Sequence, residues 1–254
     1  MKWAANLSML FNELPLLERF AAAKAAGFDA VEIQFPYAEA IADIKAELQQ
    51  YGLECVLINV PAGDLMEGGE GLASVPGKEV EFSAALVECV NYAVALNVKR
   101  VNVLPGRCKD EAKKPAYLAT FKNNLNIAAD LFKPLGIMVT FEAINTVDMP
   151  NFLIHNVQQM QTIVADSGRE NLALQFDIYH MAKMEKEDVA SIIRRLGQQM
   201  GHIQFADNPG RGEPGTGELD FKSIFAAIEA SGYDGIVAAE YKPSMLTKNT
   251  LSWM

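Results

Sequence analysis

Short apolar runs alternate along this chain with longer stretches whose apolar residues recur at helical spacing. Residues 2–6 predict a first strand ending at Asn6. A helix from about Leu14 to Ala26 follows, with Gly27 as its stop. Ala30 to Gln34 reads as a second strand, and residues 38–50 as an amphipathic helix stopped by Tyr51-Gly52. Glu54 to Val60 is a third strand, followed by a helix from about Glu79 to Leu96. Lys99 to Leu104 is a fourth, followed by a helix from about Lys114 to Phe132. Gly136 to Glu142 is a fifth, with a helix from about Asn156 to Ala165. Leu172 to Asp177 is a sixth, with a helix over 187–197. His202 to Ala206 is a seventh, with a helix over 220–231. Gly235 to Glu240 is the eighth, which leaves Tyr241 to Met254 for a short closing helix.

Eight strand-then-helix units filling 254 residues predict an α/β chain, one (β/α)₈ TIM barrel over residues 1–254 with no linker. Alternating strands and helices imply parallel pairing by right-handed crossovers. A doubly wound sheet is the alternative. It often carries a Gly-rich phosphate turn after the first strand, where this chain has Leu7-Ser8-Met9-Leu10-Phe11-Asn12.

Two loops stand out. Pro61 to Gly77 carries Gly63, Gly68, Gly69, Gly71 and Gly77 and is too long for an idle connector, so it reads as a lid or binding loop. Gly201 to Glu218 starts as a strand and breaks into a Gly- and Pro-rich loop bearing Asp207, Asn208, Arg211, Glu213 and Glu218. A strand that delivers polar groups into such a loop is how barrel enzymes build sites.

Catalytic groups of a barrel sit at the C-terminal ends of its strands. Strand five ends at Glu142 and strand six at Asp177, strand seven carries Gln204, and strand eight ends at Glu240. Each alone could merely cap the next helix. Together they form one rim of oxygen donors whose carboxylates repel unless a cation sits among them. Such hard donors suit Mg²⁺ or Mn²⁺ better than zinc. A cation held there polarises a carbonyl and its neighbouring hydroxyl, and a rim carboxylate removes the proton on the adjacent carbon. Isomerisation and epimerisation both follow from the enediolate. His180 is a candidate contact for a substrate oxygen, His202 reads as structural, and His155 as a surface cap.

Charge narrows the partners. The formal net charge is −10, with 32 acidic and 22 basic residues, and no basic cluster marks a polyanion-binding face. A small molecule is therefore the expected partner, rather than nucleic acid or membrane. No apolar run approaches the ~20 residues of a spanning helix, and the N-terminus has no long apolar segment of the signal-peptide kind. Three cysteines, Cys55, Cys89 and Cys108, match no zinc spacing and suit a reducing cytoplasm. The oligomeric state is not fixed by the sequence, and a homo-oligomer stays open.

The motifs Phe141-Glu142-Ala143-Ile144-Asn145, Phe176-Asp177-Ile178-Tyr179-His180, Gly201-His202-Ile203-Gln204, Arg211 to Glu218 and Glu240-Tyr241 together resemble the hydroxypyruvate isomerase family. That family belongs to the xylose-isomerase-like barrels, and within it the chain is most similar to the 2-oxo-tetronate isomerases. The resemblance extends from Trp3 to the last strand. It implies Glu142 and Glu240 as paired acid/base residues. It also implies Glu142, Asp177, Gln204 and Glu240 as metal positions, and His180 and Arg211 as substrate contacts. The related ketose 3-epimerases, which act on neutral sugars and are the alternative function, place a His where this chain has Gln204. If the substrate is a sugar acid, its carboxylate needs a cation, and Arg107 after strand four and Arg211 are the candidates.

Overall fold

The computed structural model describes residues 1–254 and closes eight parallel strands into a barrel in sequence order. The strands are β1 (Lys2–Asn6), β2 (Ala30–Ile33), β3 (Glu54–Asn59), β4 (Arg100–Asn102), β5 (Met138–Glu142), β6 (Leu172–Asp177), β7 (Met200–Phe205) and β8 (Ile236–Ala239). Between them run α1 (Leu16–Ala25), α2 (Ile41–Tyr51), α3 (Glu79–Ala95), α4 (Lys114–Phe132), α5 (Val157–Ser167), α6 (Ile178–Met184), α7 (Val189–Leu196) and α8 (Phe221–Ala230). No helix is long and apolar enough to cross a membrane.

Strand alternation decides what faces where. Val31, Ile33, Val139, Phe141, Phe176, Ile203 and Phe205 join the main core of 64 buried residues. Their neighbours Glu32, Thr140, Glu142, Gln175, Asp177, His202 and Gln204 are buried too, but they are polar. A period of two sends these two sets to opposite faces of the sheet. The register sets the polar residues abreast: Asn6 pairs with Glu32, Glu142 with Gln175, Gln175 with His202, and Asp177 with Gln204. Ala4, Ala30, Val56, Leu57 and Ala238 form a smaller apolar cluster apart from the main core.

The structure differs from the sequence expectation in two elements. Asp177 ends its strand and directly caps the extra helix α6, accepting from the backbone N–H of Tyr179 at 2.8 Å. The expected closing helix is only a 3-10 turn, Thr247–Asn249. There the Thr247 hydroxyl accepts from the Phe11 N–H at 2.7 Å, and the Thr247 N–H donates to Glu13 at 3.0 Å. Those side-chain and loop bonds replace a continuing helical ladder. Trp253 then packs edge-on against Trp3 and Phe205, with centroids 5.2 and 4.9 Å away, returning the tail to the barrel.

Candidate active site

At the C-terminal mouth of the barrel lies a small cavity of about 60 Å³. Its polar lining includes Glu142, His180, Arg211, Glu240 and Gln34. Its apolar wall is Phe35, Met66, Leu104, Ile144 and Met149. Met66 comes from the 3-10 turn Gly63–Glu67 of the long loop after β3.

Glu142, Asp177 and Glu240 are all buried here, and Arg211 is the one guanidinium among them. Arg211 Nη2 lies 2.7 Å from Glu240 Oε1 and 3.6 Å from Asp177 Oδ2. Gln34 Nε2 donates to the same Glu240 oxygen at 2.9 Å. Burial raises the Glu142 pKa well above the ordinary carboxylate range, and the negative charges of Asp177 and Glu240 push it further. Burial also raises Glu240, against the pull of Arg211, to about 8. Burial works to lower the Arg211 pKa, but the surrounding carboxylates outweigh it and hold the guanidinium charged. His180 is lowered to about 4, chiefly by burial, and is therefore neutral near pH 7.

Beneath the rim runs a chain of hydrogen bonds that sequence reasoning missed. Glu32 Oε1 accepts from Asn6 Nδ2 at 2.7 Å and from Gln204 Nε2 at 2.6 Å, and Glu32 Oε2 lies 2.6 Å from His202 Nε2. Gln204 Oε1 accepts from Gln175 Nε2 at 2.7 Å, and the same Nε2 reaches Glu142 Oε2 at 3.3 Å. The Thr140 hydroxyl donates to Gln175 Oε1 at 3.0 Å. Glu32 accepts at the end of the chain, and the amides of Gln204 and Gln175 each donate toward the next acceptor. The signal was present in the sequence as Glu32 and Gln34, polar residues at alternate positions of an otherwise apolar strand.

The expected metal positions fall into two groups. Glu142 and Asp177 converge with His180, which was expected as a substrate contact, and each of the three brings a potential ligand atom to within 4.8 Å of the others. Asp177 Oδ2 is buried without a hydrogen-bond partner. A buried carboxylate oxygen left bare beside two further carboxylates is what a divalent cation would satisfy, so the donor set fits one. Gln204 and Glu240 sit on the same rim, but Gln204 Oε1 already accepts from Gln175, and Glu240 Oε1 from both Arg211 and Gln34.

Arg107 is not part of the cavity lining. Its Nη1 donates to the carbonyls of Leu65 at 2.6 Å and Gly69 at 2.9 Å, so it braces the turn that carries Met66. Arg107, expected as a substrate contact, is here engaged with these loop carbonyls. The sequence separation between Arg107 and the turn hid the pairing.

The loop after β7 is shaped by Asp207. Its Oδ1 accepts from the N–H groups of Asn208 at 2.8 Å and Leu219 at 3.1 Å, and its Oδ2 from those of Gly215 and Gly217 at 2.8 Å each. A Cβ at Gly217 would lie 2.2 Å from the Asn208 carbonyl oxygen, so only glycine fits. The Lys242 N–H donates to the Arg211 carbonyl at 2.7 Å and ties the loop to the segment after β8. Arg211 itself has φ +59°, and its guanidinium stacks 5.2 Å from the Tyr179 ring centroid.

Two outcomes follow. Asp207→Asn offers one oxygen where four amides converge, and its NH₂ opposes two of them. It should cost about 3 kcal/mol in urea unfolding and lower turnover as Arg211 loses its support. Arg107→Met should raise KM through the loosened Met66 turn, by the same factor on a keto acid and on a neutral ketose of equal length. A selective loss on the acid in paired kinetic assays would contradict that bracing role.

Known proteins bear on the chain as a whole. Residues 20–254 match the xylose isomerase-like TIM barrel family. The hydroxypyruvate isomerase of Escherichia coli is 41% identical over 254 residues, covering 100% of this chain and 98% of that protein. The 2-oxo-tetronate isomerase of Cupriavidus necator is 40% identical over 253 residues, covering 100% and 97%. A crystal structure described as an AP endonuclease, family 2, from Brucella melitensis superposes with a TM-score of 0.95 at 38% identity, covering 99% of this chain and 97% of that one. With barrel, rim and match agreeing over nearly its full length, the chain belongs to the xylose isomerase-like TIM barrel family.

Proposed function

We propose that this chain isomerises a small hydroxy-keto acid of the hydroxypyruvate or 2-oxo-tetronate type by moving a proton between adjacent carbons through an enediolate. The observation that carries the reading is the pair Glu142 and Glu240. Both are buried, both line one cavity, and both have raised pKa values. A carboxyl group poised near neutrality can take a proton from carbon and return it, which an ordinary surface carboxylate does poorly. The high sequence identity to two keto-acid isomerases over full length supports the substrate class.

In this reading Glu240 and Glu142 act as the base and the acid of the transfer. Arg211, the one guanidinium in the cavity lining, meets the negative charge of the substrate acid or of the developing enediolate. His180 donates to a substrate oxygen. The apolar wall of Phe35, Met66, Leu104, Ile144 and Met149 keeps water from the enediolate. Glu142, Asp177 and Glu240, with Gln204 beside them, would hold Mg²⁺ or Mn²⁺, which when bound supplies Lewis-acid polarisation of the carbonyl. Three buried free cysteines and a net charge of −10 agree with a cytoplasmic enzyme of small molecules and against a nucleic-acid partner.

The test is a panel of hydroxypyruvate, 2-oxo-tetronates and neutral ketoses, assayed for isomerisation with solvent deuterium uptake. Preference for the neutral ketoses would overturn the acid reading in favour of 3-epimerisation. On the preferred substrate, Glu142→Gln and Glu240→Gln should each lower kcat by about 10²-fold or more. Near-normal turnover in either would remove that residue from the transfer.

The raised carboxyl pKa values also fix a pH dependence. Folded Glu142 and Glu240 bind protons more tightly than in the unfolded chain. The stabilisation from those protons is complete below the unfolded value of about 4.3 and is lost as pH rises through the folded values, about 8 for Glu240 and well above the ordinary carboxylate range for Glu142. A divalent cation competes with those protons. The rise in Tm on saturation with Mg²⁺ or Mn²⁺ should therefore be larger at about pH 8.5 than at about pH 6. Thermal melts that show the opposite order would exclude these glutamates as the ion's ligands.

A further inference from the structure

Asn145 lies three residues past Glu142 and is fully buried. Its amide cannot be turned over. Its Oδ1 accepts from the backbone N–H of Val147 at 3.1 Å and of Asp148 at 2.8 Å. The reversed orientation would press an NH₂ against both donors. Its Nδ2 therefore faces the other way, donates to Asp148 Oδ2 at 3.1 Å, and lies 2.7 Å from His180 Nδ1. Asp148 is held in turn by the Tyr179 hydroxyl.

That 2.7 Å contact constrains the imidazole. Asn145 Nδ2 has only hydrogens to offer, so His180 Nδ1 must present its lone pair. A neutral ring carries one N–H, which is then on Nε2. Nε2 faces the cavity, 3.5 Å from Asp177 Oδ2 and 3.7 Å from Glu142 Oε1. Both separations exceed a good hydrogen bond, so the proton stays available to an incoming oxygen. A metal ligand would need the lone pair that this nitrogen lacks in that tautomer.

We infer that Asn145 is a positioning residue that fixes His180 as the Nε2–H tautomer, so that His180 meets the substrate as a neutral hydrogen-bond donor and leaves cation coordination to the carboxylates. The tautomer follows from the geometry alone. The role toward a substrate oxygen rests on the isomerase reading above. A neutral N–H aimed at the oxygen where charge develops stabilises the enediolate without entering the proton transfer.

The chain has three histidines, so the His180 ring can be identified in long-range ¹H–¹⁵N spectra of labelled protein by its loss in His180→Gln. At neutral pH the wild-type ring should show a protonated Nε2 and a bare Nδ1, before and after addition of Mg²⁺. Asn145→Asp replaces the donor by a carboxylate that accepts from Nδ1–H, and should reverse the pattern. Asn145→Ala should leave the two tautomers mixed. An Nδ1–H ring in the wild type, or Nε2 giving up its proton when Mg²⁺ binds, overturns the inference, and the wild-type spectrum decides this even if a variant fails to fold. On the preferred keto acid, Asn145→Asp should lower kcat by about 10²-fold, as expected for a lost oxyanion donor, with KM changed only severalfold. A reversed ring with unchanged kcat would overturn the donor role while leaving the tautomer standing. A protein inactive on every keto acid would fail the isomerase reading, and the spectra would still decide the tautomer.

Discussion

Three buried carboxylates crowd around a single guanidinium, and the architecture of the mouth follows from that imbalance. Burying like charges together is costly unless each finds a proton, a cation or a donor. Glu240 finds Arg211 and Gln34, and Glu142 finds the amide of Gln175. Asp177 spends one oxygen on the N-terminus of α6 and leaves the other bare. The residual negative charge raises the proton affinity of Glu142 and Glu240 and gives the site a donor set that could hold a divalent cation. Proton affinity and cation affinity are thus two responses to one electrostatic deficit.

Much of the fold was legible in the chain because a barrel writes itself as a repeated switch between two periods. All eight strands lie where the apolar runs place them, and the ends of strands five to eight mark the rim. What the pattern hid were elements too short to show a period. Helix α6 begins at once after Asp177, and its buried Ile178, Tyr179 and Met181 look like more strand. The tail looked long enough for a helix, yet Thr247 is claimed by Phe11 and Glu13, partners more than 230 residues away in sequence.

The site was legible where function sits at strand ends and hidden where it lies deeper. Glu142, Asp177, Gln204 and Glu240 share the rim, as their positions imply. Glu32 was passed over because one carboxylate within a strand says nothing by itself about a partner on β7. Only closure of the barrel brings His202 and Gln204 to it. Arg107 was ambiguous for the same reason. A cation after a strand is equally a substrate clamp or a brace for a neighbouring loop, and the sequence does not show the carbonyls of Leu65 and Gly69 that it meets.

The four amides gathered by Asp207 turn an open glycine-rich segment into something close to a closed ring. Ordering such a segment carries an entropic penalty of about 1–2 kcal/mol per residue. Here that penalty is met when the chain folds, so Arg211 is already in position beside Glu240 and no binding energy at the mouth need be diverted to arranging the loop. The preorganisation also divides the loop by tolerance. Gly217 is locked by its neighbours, whereas a Cβ at Gly210 meets nothing within 4 Å. Substitutions near the tip can then accumulate without disturbing the guanidinium beside Glu240.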